Sequence, residues 1–237
     1  MSEITPKEIY AALSAHFGEQ HWWPVTEPGE FAPTYKPRKR LSEKQKLEIC
    51  VGAILAQNTG WKNAMKALEA LNKAKMMDCK KLGAAPKGKI AGFVRSSGYY
   101  NQKAERLKKF CKYIEKNYNG NLRKFLSKPL AELRAELLSL HGIGNETADD
   151  IALYAAGLPS FVVDAYTTRF VERFFGKKEL GYVETKSFFE SLLPADAGMF
   201  GEFHALLVEH GKRCCGKKPV CAECFLAGKC VSAHESL

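Results

Sequence analysis

The 237-residue chain lacks any apolar run approaching the roughly 18 to 20 residues that a membrane-spanning helix requires. Its opening, Met1-Ser2-Glu3-Ile4-Thr5, lacks the charged-then-apolar order of a secretory leader. These absences argue against a membrane partner and place the expected compartment in the cytosol, on the nucleoid if the source is a prokaryote. Sustained alternation at period two is missing as well. Most segments instead space their apolar residues by three or four, which makes the expected fold all-α. Acid is in short supply, with 26 Asp and Glu against 36 Lys and Arg, a net charge of +10 and a pI near 9.1. That balance favours a polyanionic partner over an acidic or neutral one. Apolar content is not scarce, and at 46% hydrophobic the chain can build a real core, which excludes disorder.

Cysteine is present in number but unevenly. Five of the eight lie within residues 214–230, whereas Cys50, Cys79 and Cys111 are scattered in helical contexts as small buried hydrophobes. Clustered thiols in a reducing compartment suggest a metal. Cys214-x6-Cys221-x2-Cys224-x5-Cys230 brings four thiolates close enough to share one centre, either tetrahedral zinc or an iron-sulfur cluster; ligand type alone does not choose.

The stretch 133–164 organises the chain. It reads as a helix, a glycine hairpin, a second helix and a short apolar turn that ends on an acid. Gly142 and Gly144 permit positive φ and close backbone approach, so that amides opening the second helix can face an anion. Ala148, Ile151, Ala152 and Ala155 give that helix a buried face. A tight helix-helix turn would have the same local pattern.

Leu140-His141-Gly142-Ile143-Gly144-Asn145-Glu146-Thr147-Ala148 and Val162-Val163-Asp164-Ala165-Tyr166 resemble the helix-hairpin-helix, the following loop and the aspartate of the endonuclease III superfamily of DNA glycosylases. The resemblance extends over nearly the whole chain. It implies two helical domains with a DNA cleft between them: a six-helix barrel at 41–153, and a second domain formed by 1–40 and 154–237. It also implies that the hairpin holds a DNA phosphate, that Asp164 is the catalytic carboxylate, and that Cys214, Cys221, Cys224 and Cys230 hold a [4Fe-4S] cluster, with adjacent Cys215 left out. The protein is then expected to act as a monomer on double-stranded DNA containing damaged bases.

Other segments take roles within that frame. Residues 6–18 read as an amphipathic helix carrying Ile9, Leu13 and Phe17, and run into His21-Trp22-Trp23-Pro24, where the proline keeps Trp23 extended. The pair is either a pocket wall or a core anchor. Lys36-Pro37-Arg38-Lys39-Arg40 reads as an exposed basic loop, able to touch phosphate or simply solvated. By resemblance, Gln57 lies at the DNA-facing end of a buried helix, where it can fill the space left by a flipped base; local capping is the plain alternative. Tyr99, on the glycine turn Ser96-Ser97-Gly98-Tyr99, suits a wedge between bases. Lys217 and Lys218, inside the metal loop, would face the DNA backbone.

Within the superfamily, bifunctional enzymes place a lysine two residues after the second hairpin glycine. Here that position is Glu146, which cannot form an imine, so the expected enzyme is monofunctional and uses water, with Asp164 stabilising the cationic sugar. Glu146 together with Trp22, Trp23 and Pro24 resembles the branch of endonuclease III-like 3-methyladenine DNA glycosylases, in which aromatic residues line the base pocket; Trp61 is the fourth matching position. A cationic alkylated purine is attracted to such a slot. The alternatives are a bifunctional glycosylase and lyase for oxidised pyrimidines, and a non-catalytic DNA-binding module, which would not need Asp164 and an aromatic pocket together.

Overall fold

The computed structural model describes residues 4–38 and 40–235; residues 1–3, read above for a leader, and Lys39 of the basic run lie outside them. Among the described residues the regular structure is thirteen α-helices with short 3-10 and π turns, and the extended pairing is a single bridge between Val25 and Thr34. The fold is all-α. None of these helices is long and apolar enough to cross a membrane.

Helix α1 (Pro6–Phe17) begins on a reciprocal cap in which Thr5 and Glu8 satisfy each other's amides, and it buries Ile9 and Leu13. It belongs to a compact unit made from the chain up to Trp22 and from Pro159 onward. The other unit is Trp23–Leu158. The chain therefore divides at 22/23 and 158/159, whereas the sequence reading divides it at 40/41 and 153/154. Hydrogen bonds explain both shifts. Thr26 donates from its amide and hydroxyl to buried Glu48 at 2.9 and 2.6 Å, and Asn72 joins the same carboxylate at 2.8 Å, so the segment after Trp23 is tied to the second unit. At the far end Leu158 donates to the Ala152 carbonyl and Gly157 closes the preceding helix in the left-handed region.

Within Trp23–Leu158, α2 (Glu43–Ala56) is central: Leu47 and every residue from there to Leu55 are buried, which is why it shows no one-sided pattern. Around it come α3 (Trp61–Lys73), α4 (Cys79–Ala84), α5 (Lys87–Phe93), α6 (Tyr100–Tyr118), α7 (Leu122–Leu126), α8 (Leu130–Ser139) and α9 (Asn145–Asp150), the last running on into a π turn over Ile151–Ala156. Cys50, Cys79 and Cys111 are buried, as expected of small hydrophobes. The basic run is not simply solvated. Arg38 donates to the carbonyls of Val25 and Thr34 at 3.1 and 2.9 Å and pairs with Glu27, so its guanidinium closes the 25–38 loop on itself.

The other unit adds α10 (Ala165–Phe174), α11 (Tyr182–Leu192), α12 (Ala197–Arg213) and α13 (Val231–Glu235). Phe161, Phe189, Phe200 and Phe203 form its core, with the first two stacked at 4.3 Å. That stack anchors the segment before Asp164. Its backbone is also held by α11: the Phe161 amide donates to Glu190 at 2.8 Å, and Lys186 donates to the Ser160 hydroxyl and the Phe161 carbonyl at 2.7 and 3.1 Å.

The buried Glu48 carboxylate is the acceptor for three donors from two segments, so removing it strands those donors. Glu48→Ala is expected to lower unfolding free energy by about 3 kcal/mol, on the order expected for orphaned buried groups, read as a shifted urea midpoint at unchanged slope. A midpoint equal to that of the parent would refute this account of the 22/23 boundary.

Candidate functional site

The hairpin departs from its sequence reading at one glycine. Gly142 has φ +80°, a conformation that L side chains rarely adopt, but Gly144 is extended, with φ −99° and ψ −175°, and a side chain there would meet nothing within 4 Å. Gly142 is thus required by the turn, whereas Gly144 leaves open space beside the first amides of α9. Glu146 lies exposed in that first turn. The helix behind it is buried nearly all round, since Leu153 and Tyr154 are covered along with Ala148, Ile151, Ala152 and Ala155.

Gln57 reaches the hairpin. Its amide nitrogen donates to the Gly142 carbonyl and the Thr147 hydroxyl, both at 2.9 Å, and its oxygen accepts from Arg106. Tyr99 is 66% exposed and held at φ +44°, directly after Gly98 at φ +64°. A bulky residue in the left-handed region is uncommon and carries local strain. The turn is fixed from beneath by Lys103, fully buried, which donates to the Leu55 carbonyl at 2.8 Å, the Thr59 hydroxyl at 2.8 Å and the Ser97 carbonyl at 2.5 Å. Burial, and next the charge of Arg106, lower this ammonium to about 8. The sequence reading includes Lys103 in the stretch around Tyr99 without giving it a role, and passes over Arg106, which lies just beyond that stretch.

Trp23 and Pro24 are buried. The Trp23 indole lies against Gly52, where a side chain would come within 3.2 Å of the ring, and meets Trp61 edge to face at 4.9 Å and Tyr154 at 5.3 Å. Of the four base-pocket candidates, Trp22 and Trp61 keep partial exposure. Trp22 belongs to the other unit, where the Lys212 ammonium stands 5.9 Å from its ring centroid.

Asp164 caps α10. Its Oδ1 accepts the amides of Tyr166 and Thr167 at 2.9 and 2.8 Å, and its Oδ2 lies 3.6 Å from Nε2 of buried His204 on α12. Burial pushes this carboxyl up, but His204 and the Thr167 amide more than offset it, and the net shift is downward. The acid is therefore held as the anion. His204 is absent from the sequence reading because nothing local to Asp164 announces it. A close contact of Gly211 with the Tyr166 ring also packs α12 against the start of α10.

The same helix grips the cysteine loop. Arg169 donates to the Cys215 carbonyl at 2.8 Å, and Arg173 to the Gly216 carbonyl at 2.7 Å and the Cys215 sulfur at 3.4 Å. Cys214, Cys221, Cys224 and Cys230 all line one cavity of about 150 Å³. Cys215 lines it too. His210 Nε2 lies 3.3 Å from the Cys224 sulfur, and burial lowers this imidazole to about 4. Burial pushes the Cys224 thiol up to about 11 and those of Cys214 and Cys230 in the same direction, opposed by amides of Leu226 at Cys224 and of Ala233 and Ser232 at Cys230. The ligand atoms of His210, Cys214 and Cys224 lie within 4.8 Å of one another, and with Cys221 and Cys230 lining the same cavity and amides aimed at two of the sulfurs, the donor set suits a soft metal group. Lys217 and Lys218 are exposed beside it.

The candidates thus fall into two sets. Gln57, Tyr99, Gly142, Gly144, Glu146, Trp23, Pro24 and Trp61 belong to one unit, and Asp164, Trp22, Lys217, Lys218 and the four cysteines to the other.

The family described as HhH-GPD superfamily base excision DNA repair protein matches residues 51–195. A protein of Methanocaldococcus jannaschii carrying the name DNA repair glycosylase is 40% identical over 95% of both chains. Among solved structures, the fold is similar to that of an endonuclease III in a trapped covalent intermediate with DNA, at a TM-score of 0.78 and 20% identity over 98% of this chain and 99% of that one. It is also similar to the Helicobacter pylori 3-methyladenine DNA glycosylase bound to 1,N6-ethenoadenine, at 0.69 and 27% over 89% of this chain and 98% of that one.

The cap makes Asp164 a source of stability with a definite pH window. A carboxyl lowered on folding contributes fully above its ordinary value of 3.8 and loses that contribution as pH falls through the folded value. Asp164→Ala should therefore cost about 1 to 2 kcal/mol at neutral pH, and the gap to the parent should close only in acid below that value. A gap that closes near neutrality would contradict the assignment.

Proposed function

Because the chain belongs to the HhH-GPD superfamily of base excision DNA repair proteins, we propose that this DNA glycosylase is monofunctional, flipping alkylated purines such as 3-methyladenine out of double-stranded DNA and removing them by hydrolysis. The observation that carries the reading is the Asp164 carboxylate, kept ionised with one oxygen bound by two amides and the other facing His204 at 3.6 Å. Such an anion stabilises the cationic sugar and orients or deprotonates water. Glu146 occupies the position of the amine that a lyase requires. Among the described residues Lys103 is the amine with a pKa lowered to about 8, yet its ammonium is buried and already donates to three oxygens. The choice of base is supported by the tryptophans and by likeness to the H. pylori enzyme. In this reading Gly142, Gly144, Gln57, Lys217 and Lys218 engage the duplex, Tyr99 enters the stack, and a monomer acts in the cytoplasm or on the nucleoid.

Cys214, Cys221, Cys224 and Cys230 would hold a [4Fe-4S] cluster, which when bound supplies a rigid anchor for the loop rather than electrons. Removal of a base leaves no net oxidation for it to serve.

The test is excision from methylated duplex, with the released base identified. The parent should release 3-methyladenine, borohydride should trap no adduct, and Asp164→Asn should slow excision by roughly 10² or more while still binding DNA. An efficiently trapped adduct, or normal excision by the variant, would overturn the mechanism. The purified protein should be brown, with broad absorption near ~400 nm and about four irons per chain. Cys221→Ser should lose iron and Cys215→Ser keep it; a colourless, zinc-loaded protein would refute the cluster.

A further inference from the structure

Two arginines reach the glycine hairpin, and their charge is handled differently. Arg134 is matched by a carboxylate: it donates to both oxygens of buried Asp149 at 2.9 and 3.2 Å, and to the Asn145 side chain at 2.9 Å. Arg106 has no such match. Its hydrogen bond among the described residues is to the neutral Gln57 oxygen, and no carboxylate there lies within ion-pair distance of it. The adjacent acid, Glu105, pairs with Lys109 at 2.9 Å. The charged neighbour of Arg106 is another cation, Lys103, one turn earlier on α6. Lys103 is saturated by its three oxygens, but most of the guanidinium's N–H donors remain without a protein acceptor.

The Arg106 side chain also lies directly on the hairpin. A side chain at Gly142 would meet its Nε, Cδ and Cγ at 2.5 to 2.7 Å. Glycine is therefore needed at 142 for this approach as well as for the turn. Gln57 ties the assembly together, accepting from Arg106 while donating to the Gly142 carbonyl and Thr147. A half-buried cation held this way, beside a like charge and away from acids, costs stability unless an anion arrives from outside.

We propose that Arg106 is a DNA-phosphate ligand, donating its guanidinium to the same backbone phosphate that the glycine hairpin receives. The inference rests on the reading of that hairpin as a phosphate site. It assigns Gln57 a second task, holding the guanidinium against Gly142.

Counterion release gives a test that separates a phosphate contact from a structural one. Each neutralised phosphate contributes about 0.9 to the slope of log affinity against log salt concentration. Binding of an undamaged duplex would be measured for the full chain across a potassium chloride series. Arg106→Gln should flatten the slope by about 0.9, and Arg106→Lys, which keeps the charge, should retain the slope of the parent. Arg106→Met serves in place of the glutamine variant if thermal melts show that the latter is not folded. Parallel lines for the parent and the neutral variant, displaced or not, would overturn the inference while leaving the hairpin reading in place. A parent whose binding ignores salt would remove the hairpin reading and this inference with it. A flattened slope for Arg106→Lys would also overturn it, because the charge is retained.

Discussion

A helix start leaves amides without partners, and at α10 one carboxylate supplies two of them. Asp164 is consequently fixed in place by backbone rather than by side-chain packing alone, and much of its unit is arranged around that fixed start. The segment before it is pinned by Lys186, Glu190 and the phenylalanine stack. The helix after it carries Arg169 and Arg173 to the cysteine loop. From α12, His204 faces the oxygen that the cap does not use. The cap therefore sets the helix start and the direction from which the cysteine loop is held, and together with His204 it sets the charge state of the acid. A substitution at 164 changes all three, so its effect on chemistry has to be read alongside its effect on stability.

Buried charge serves a related purpose in the other unit. Glu48 gathers donors from the segment after Trp23 and from α3, and Lys103 gathers carbonyls and a hydroxyl from two turns. Leu55, one of its acceptors, lies at the C-terminal end of α2, where aligned peptide dipoles favour a cation. Each ion substitutes for secondary structure: it orders irregular backbone that no helix ladder would hold. The strained Tyr99 turn persists because Lys103 and Thr59 both bond the carbonyl just before it.

The cysteine loop is ordered with little secondary structure. Between α12 and α13 there are only short 3-10 turns, Cys221–Glu223 and Ala227–Lys229. Order comes from arginine bonds to its carbonyls and from amides directed at sulfur. A bound metal group would add the strongest constraint of all, which accords with thiols that burial keeps protonated until a cation displaces the protons.

The sequence by itself determined whatever depends on residues within a turn or two of one another. The helical period, the left-handed Gly142, the spacing of four cysteines and the burial of Cys50, Cys79 and Cys111 are all of that kind, and each was legible from local pattern; the caps at Thr5, Ser42 and Asp164 are as local, but the sequence reading does not single them out. Tertiary structure decided what depends on which helix faces which. It placed Trp23 over Gly52, put Arg106 against Gly142, set His204 opposite Asp164, left Gly144 extended and joined the segment after Trp23 to α2. No period or spacing encodes these pairings. They arise when long-range packing buries groups whose charges and hydrogen bonds must then be satisfied by whatever neighbours the fold brings to them.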